Sequence, residues 1–144
     1  AEDGLRAEIE ALRLGDRVRR LGRIDRSDLD LMISDAVALA FPSTYEGFGI
    51  PVLEAMSRRC PVVASTATAL PEVVGDAGML VDPFDVDGWA DALAQLLDDP
   101  GRRQELVARG QLRAAEFSWD RATDALAEAY HVAWSSVGAR AAAR

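Results

Sequence analysis

Two carboxylates, Glu46 and Glu54, bracket the run Gly47-Phe48-Gly49-Ile50-Pro51-Val52-Leu53. An ionised carboxylate accepts hydroxyl protons, and glycine lets the backbone approach a ligand with no Cβ in the way. Pro51 suits a helix start because its missing N–H is not needed there, and the amides at such a start can point at an anion. Hydroxyls at the acids and phosphate at the amides are the two ends of an activated sugar, so the loop reads as a receptacle for one. The apolar run Ala36-Val37-Ala38-Leu39-Ala40-Phe41, closed by Pro42-Ser43, reads as a buried strand. The loop then lies at that strand's carboxyl end, where open α/β sheets bind ligands.

Elements must hold these residues in place, and the chain supplies them in alternation. Leu5, Ile9, Leu12 and Leu14 recur at helical spacing, with Gly15 as the expected stop. Residues 18–24 look strand-like, and Ser27 is a candidate N-cap for a helix over 28–34. After the loop come a helix from Pro51 to about Ser57, a strand over 61–64, a short helix from Pro71 and a strand over 79–81 ended by Asp82-Pro83. Alternating short apolar strands and helices predict a parallel sheet in a doubly wound α/β fold. Additional helices follow. Trp89, Leu93, Leu96 and Leu97 share one face of a helix closed by Pro100, and a second helix runs over about 102–116. Ser118 caps a terminal helix whose stripe is Ala122, Leu126, Ala129, Tyr130, Ala133, Trp134 and Val137.

With 144 residues, 49% of them hydrophobic, the chain is expected to form one compact domain over 1–144 with a real core. It has no run of about 18 apolar residues and no charged-then-apolar leader, so a cytoplasmic protein without a transmembrane segment is expected. Cys60 is the single cysteine and reads as a buried structural thiol. The formal net charge of -8, with arginines dispersed along the chain, argues against nucleic acid as a partner. It also means that attraction for a diphosphate must be local, from amides, a helix N-terminus and an arginine or two. The chain contains no lysine, which excludes a P-loop lysine, a Schiff-base lysine and a pyridoxal site within it.

The segment 41–56, Phe-Pro-Ser-Thr-Tyr-Glu-Gly-Phe-Gly-Ile-Pro-Val-Leu-Glu-Ala-Met, closely resembles the donor-site motif of the retaining glycosyltransferases of GT-B fold. That family includes glycogen synthases, sucrose synthases and many bacterial mannosyl- and glucosyltransferases. The likeness continues through Leu21-Gly22 upstream, and downstream through 61–65, 70–75 and Phe117-Ser118-Trp119, so it covers nearly the whole chain. It implies two Rossmann-like domains facing each other across a cleft, with the donor held mainly by the C-terminal one. Residues 1–144 correspond to most of that C-terminal nucleotide-sugar-binding domain, incomplete at its N-terminal side. The first two strands, the diphosphate-binding Arg and Lys and a missing N-terminal Rossmann-like domain are then expected before residue 1, and any peripheral membrane contact is assigned to that missing half. A fragment of this kind is expected to be inactive alone.

The resemblance also implies roles. Glu46 is the expected catalytic residue, holding the transferred sugar's hydroxyls where a carboxylate favours the positive charge that develops at the anomeric carbon. Glu54, expected in the first turn of its helix, accepts both protons of a ribose 2′,3′-diol. Gly47, Phe48, Gly49 and Ile50 supply backbone N–H groups to the sugar or diphosphate, and the Phe48 ring is either a loop anchor or a sugar contact. Gly22, Arg23 and Ile24 offer backbone to the base, the Arg23 side chain being read as surface. Retention proceeds by same-face attack, with the departing diphosphate taking the acceptor's proton. Neither cofactor nor metal is expected, and Asp85 and Asp87 read as helix-capping residues. The expected function is thus hexose transfer from a nucleoside-diphosphate sugar to an acceptor. Two other readings stay open, a non-catalytic or degenerate α/β binding module and a GT-B-fold epimerase, although the segment shows no epimerase acid/base set.

Overall fold

The computed structural model describes the backbone of residues 2–142 and the side-chain surroundings of residues 4–134. The backbone clusters into two compact units, residues 1–31 and 32–144. In the first, helix α1 (Glu2–Ala11) ends sooner than expected. Arg13, at φ 55°, takes the left-handed position, and the Arg13 and Leu14 amides close on the Glu10 and Ile9 carbonyls. Gly15 is therefore not the stop. Residues 18–24 form no strand, which corrects the sequence reading: Gly22 sits at φ 63° and turns the backbone out of the extended region. Helix α2 (Arg26–Asp35) starts early enough to take Ser27 inside it, so Ser27 is not its cap.

The second unit carries the sheet. Strands β1 (Leu39–Phe41), β2 (Val62–Ser65) and β3 (Met79–Val81) lie parallel in the order β1-β2-β3, with Leu39 opposite Val62 and Val63 opposite Met79. Three connections separate or follow them: α3 (Ile50–Ser57), α4 (Leu70–Val74) and α5 (Val86–Asp98). Helices α6 (Pro100–Ala115) and α7 (Trp119–Ala142) complete the chain.

Successive residues of a strand face opposite sides, and β2 shows what that does to the core. Val62 and Ala64 pack with Val52, Ala55 and Met56 of α3 and Leu70, Val73 and Val74 of α4. Val63 packs on the other side with Val81 of β3, with Ala92 and Leu96 of α5 and with Leu106 of α6. Helices thus cover both faces of a parallel sheet, the doubly wound α/β arrangement. Met56, Leu70, Leu96 and Leu106 are fully buried, each stabilising the fold by roughly 1.5–3 kcal/mol through lost apolar surface. Cys60 is buried beside β2, and burial pushes its thiol pKa up, as befits a structural residue.

Caps set the helix starts of the lower half. The Asp85 carboxylate accepts from the Gly88 amide at 2.9 Å, and Asp99 accepts from the Arg102 amide at 2.9 Å. Asp85 is thus a cap, and Asp87 lies in the first turn of α5. The Ser118 hydroxyl accepts from the Arg121 amide at 3.2 Å, as its position suggested. Leu97 departs from expectation. It is 63% exposed, because the buried face of α5 runs through Ala92 and Leu96. The stripe on α7 is exposed through Trp134, and the side chain of Val137 lies outside the described residues. Among the described residues no helix is long and apolar enough to cross a membrane.

Candidate functional site

The loop 42–49 leaves the carboxyl end of β1 and enters α3 through Gly49, the helix N-cap. Gly49 has φ 98°, and a Cβ built there would lie 2.6 Å from Leu70 Cδ2. Both the dihedral and the fully buried Leu70 demand glycine. Gly47 differs: a Cβ there would meet nothing within 4 Å, so open space, and not the fold, accommodates it.

The helix begins at Ile50, with Pro51 in its second position. This moves Glu54 to the fifth residue of α3, in the second turn, and corrects the first-turn placement read from the sequence. The reason is local. The left-handed Gly49 lets the helix close one residue earlier, through the Val52 amide to the Gly49 carbonyl at 3.0 Å. Dipole stabilisation falls off after the first turn, so helix electrostatics contribute little at Glu54.

The amides of Gly47, Phe48, Gly49 and Ile50 donate to no protein acceptor among the described residues. A helix start always leaves orphan donors, but here the orphan row extends back through the loop. Four consecutive N–H groups without a protein acceptor, bounded in sequence by two acids, leave donors that an anion can satisfy.

Glu46 is half-buried and fixed from both directions. Its amide donates to Thr68 Oγ1 at 2.9 Å, and the Thr68 hydroxyl donates back to the Glu46 carbonyl at 2.8 Å. Its carboxylate Oε1 lies 3.0 Å from the Ser43 hydroxyl, which shares its proton with the Tyr45 carbonyl at 3.1 Å. The buried Ser65 hydroxyl in turn donates to the Ser43 carbonyl and accepts from the Ala67 amide. Thr68 holds φ 49°, a costly conformation for a β-branched residue. Ser43, Ser65 and Thr68 were not among the residues singled out from sequence. The available signal was that parallel neighbours β1 and β2 bring their following loops together.

Phe48 is anchored. Its ring meets Phe117 edge-on, with centroids 5.8 Å apart at 83°, and the Arg113 guanidinium lies 4.8 Å over Phe117. Arg113 Nε donates to the Val73 carbonyl at 3.1 Å, and its other nitrogens reach the Glu72 carbonyl and Glu116. One arginine thus ties α4, α6 and, through two rings, the loop. Phe48, Ile50 and Leu53 line an apolar cleft of about 500 Å³ with Phe117, Trp119 and Ala122. Gly22, Arg23 and Ile24 lie in the first unit, Arg23 exposed and Ile24 half-buried.

A model of the family described as glycosyl transferases group 1 matches residues 1–113. The chain is 46% identical over 113 residues to the O-antigen chain mannosyltransferase B of Escherichia coli, covering 78% of this chain and 30% of that protein. It is similar in structure to sucrose-phosphate synthase from Thermosynechococcus elongatus, with a TM-score of 0.80 at 30% identity over 92% of this chain and 34% of the other. Anabaena HepE, solved in complex with UDP and glucose, gives a TM-score of 0.81 at 26% identity over 90% of this chain and 36% of its own. The chain spans about 30% of the length of the E. coli relative.

Proposed function

The chain belongs to the glycosyl transferases group 1 family, with a GT-B type α/β fold, and from that premise we propose that it forms the donor-binding domain of a retaining hexosyltransferase. The observation that carries this reading is the row of unpartnered amides from Gly47 to Ile50 between Glu46 and Glu54. A nucleoside-diphosphate sugar offers a phosphate for the amides, a ribose diol for Glu54 and sugar hydroxyls for Glu46. The binding of UDP and glucose by the similar HepE supports that class of donor. Gly22, Arg23 and Ile24 are assigned to the base through their backbone.

Transfer then needs three things from these residues. The loop amides stabilise charge as the bond from anomeric carbon to phosphate oxygen breaks. Glu46, fixed by Thr68 and Ser43, orients the hexose and offsets the positive charge growing on its ring. The acceptor oxygen attacks the same face that the diphosphate leaves, its proton passing to the departing phosphate oxygen, so the new bond keeps the old configuration. No protein nucleophile is required.

The test separates the two acids in the intact protein. Glu54→Ala should weaken nucleoside-diphosphate binding about tenfold or more by calorimetry, since a charged hydrogen bond contributes roughly 1.5–3 kcal/mol. Glu46→Ala should keep that affinity and lose turnover. Unchanged affinity in the first variant refutes the ribose assignment.

A further inference from the structure

The amides of Gly47, Phe48, Gly49 and Ile50 meet no protein acceptor among the described residues, so hydrogen bonding does not set the directions in which they point. Side chains must do so. Upstream, Thr68 fixes Glu46. Within the loop, two contacts act on consecutive residues: the Phe48 ring meets Phe117 edge-on, and Leu70 fills the space where a Gly49 Cβ would stand. Phe48 is 45% exposed and belongs to neither buried apolar cluster, so the contact with Phe117 is what anchors its ring.

Both contacts lead back to Arg113. Helix α4 carries Leu70 at its start, and its Glu72 and Val73 carbonyls take no backbone N–H among the described residues. The Arg113 guanidinium donates to both, with Nε 3.1 Å from the Val73 oxygen, and so caps α4 from the side. The same planar group lies 4.8 Å over the Phe117 ring, while Nη1 pairs with Glu116. A guanidinium suits this place because its edge bonds carbonyls while its face stacks on a ring, and an ammonium cannot reproduce that fork. The Arg113 side chain is three-quarters shielded from solvent, which strengthens these contacts.

We propose that Arg113 and Phe117 are positioning residues for diphosphate binding, a role that rests on the donor-binding reading of the loop. Arg113 holds Leu70 beneath Gly49 through α4 and holds Phe117 against Phe48, so one side chain fixes two consecutive loop residues from two directions. Neither residue touches the donor. Their effect is to order the amides before the diphosphate arrives, which lowers the entropy lost on binding.

The intact, amide-labelled protein is compared with Phe117→Leu, Phe117→Tyr and Arg113→Lys. Without ligand, NMR order parameters at 47–49 should be about 0.85 in the parent and in Phe117→Tyr, which keeps the ring, and below about 0.6 in Phe117→Leu and Arg113→Lys. UDP, which the similar HepE binds, and uridine are then titrated. Phe117→Leu and Arg113→Lys should bind UDP about tenfold more weakly and uridine within about twofold of the parent, because only the diphosphate uses the ordered amides. A general fold defect would weaken both ligands alike. Failure of the donor reading shows separately, as 47–50 resonances that UDP leaves unmoved or as full UDP affinity in Glu54→Ala, and the order parameters decide the anchoring in either case. Unchanged order parameters in both Phe117→Leu and Arg113→Lys, or an unchanged ratio of UDP to uridine affinity, overturns the positioning role.

Discussion

Gly49 is the residue on which the loop geometry turns. Its φ of 98° and the 2.6 Å approach to Leu70 mean that any side chain must distort both the helix start and the buried contact with α4. Left-handed strain and overpacking each cost about 1–3 kcal/mol, so Gly49→Ala should destabilise this domain by about 2–4 kcal/mol. Thermal denaturation should show a fall of roughly 10 °C, whereas Gly47→Ala, facing open space, should leave the melting temperature nearly unchanged. Equal effects at the two glycines would contradict the placement. From sequence the two were indistinguishable, because the spacing Gly-x-Gly reveals neither dihedral nor neighbour. Glu54 was misplaced by one residue, from the first turn to the start of the second, for the same reason: the left-handed conformation that lets α3 begin at Ile50 is invisible in residue types.

Among elements, the second and third strands were legible and the strand meetings were not, whereas the run 36–41, read as a buried strand, pairs only over Leu39–Phe41 and leaves Val37 and Ala40 exposed. Val62-Val63-Ala64 and Met79-Leu80-Val81 are short apolar runs between turn residues, and they form β2 and β3 almost as read. Residues 18–24 carry a similar pattern, but Gly22 turns the chain and no ladder forms there. Thr68 stands 22 residues from Glu46, and only the parallel pairing of β1 with β2 brings their following loops into contact. This clamp is a prediction in itself. Thr68→Val removes the hydroxyl that serves both the Glu46 amide and carbonyl while keeping the shape. Exposed hydrogen bonds of this sort contribute about 0.5–1.5 kcal/mol, so the fold should survive. Turnover in the intact protein should drop about tenfold, from a mispositioned Glu46. Full activity in Thr68→Val would show that the clamp does not set the acid's position.

At the scale of the molecule, the core is concentrated in the second unit. Every fully buried apolar residue among those described lies between Val52 and Leu106, and residues 4–31 contain none. Opening free energy follows local apolar burial. Amide hydrogen exchange should therefore be faster by orders of magnitude in α1 and in 12–25 than in β2, and comparable protection would contradict the division. The exposed stripe of α7, with Tyr130 and Trp134, was legible as a stripe, but periodicity identifies an apolar face without saying what meets it.

The central claim is that the unpartnered amides from Gly47 to Ile50 receive the diphosphate of a sugar nucleotide. Its most direct measurement is a nucleoside-diphosphate titration of the intact, amide-labelled protein, read at those four N–H resonances. The predicted result is a saturable downfield shift of all four with a single dissociation constant, weakened in Glu54→Ala. Saturating binding that leaves the four resonances unmoved would place the diphosphate elsewhere and contradict the account.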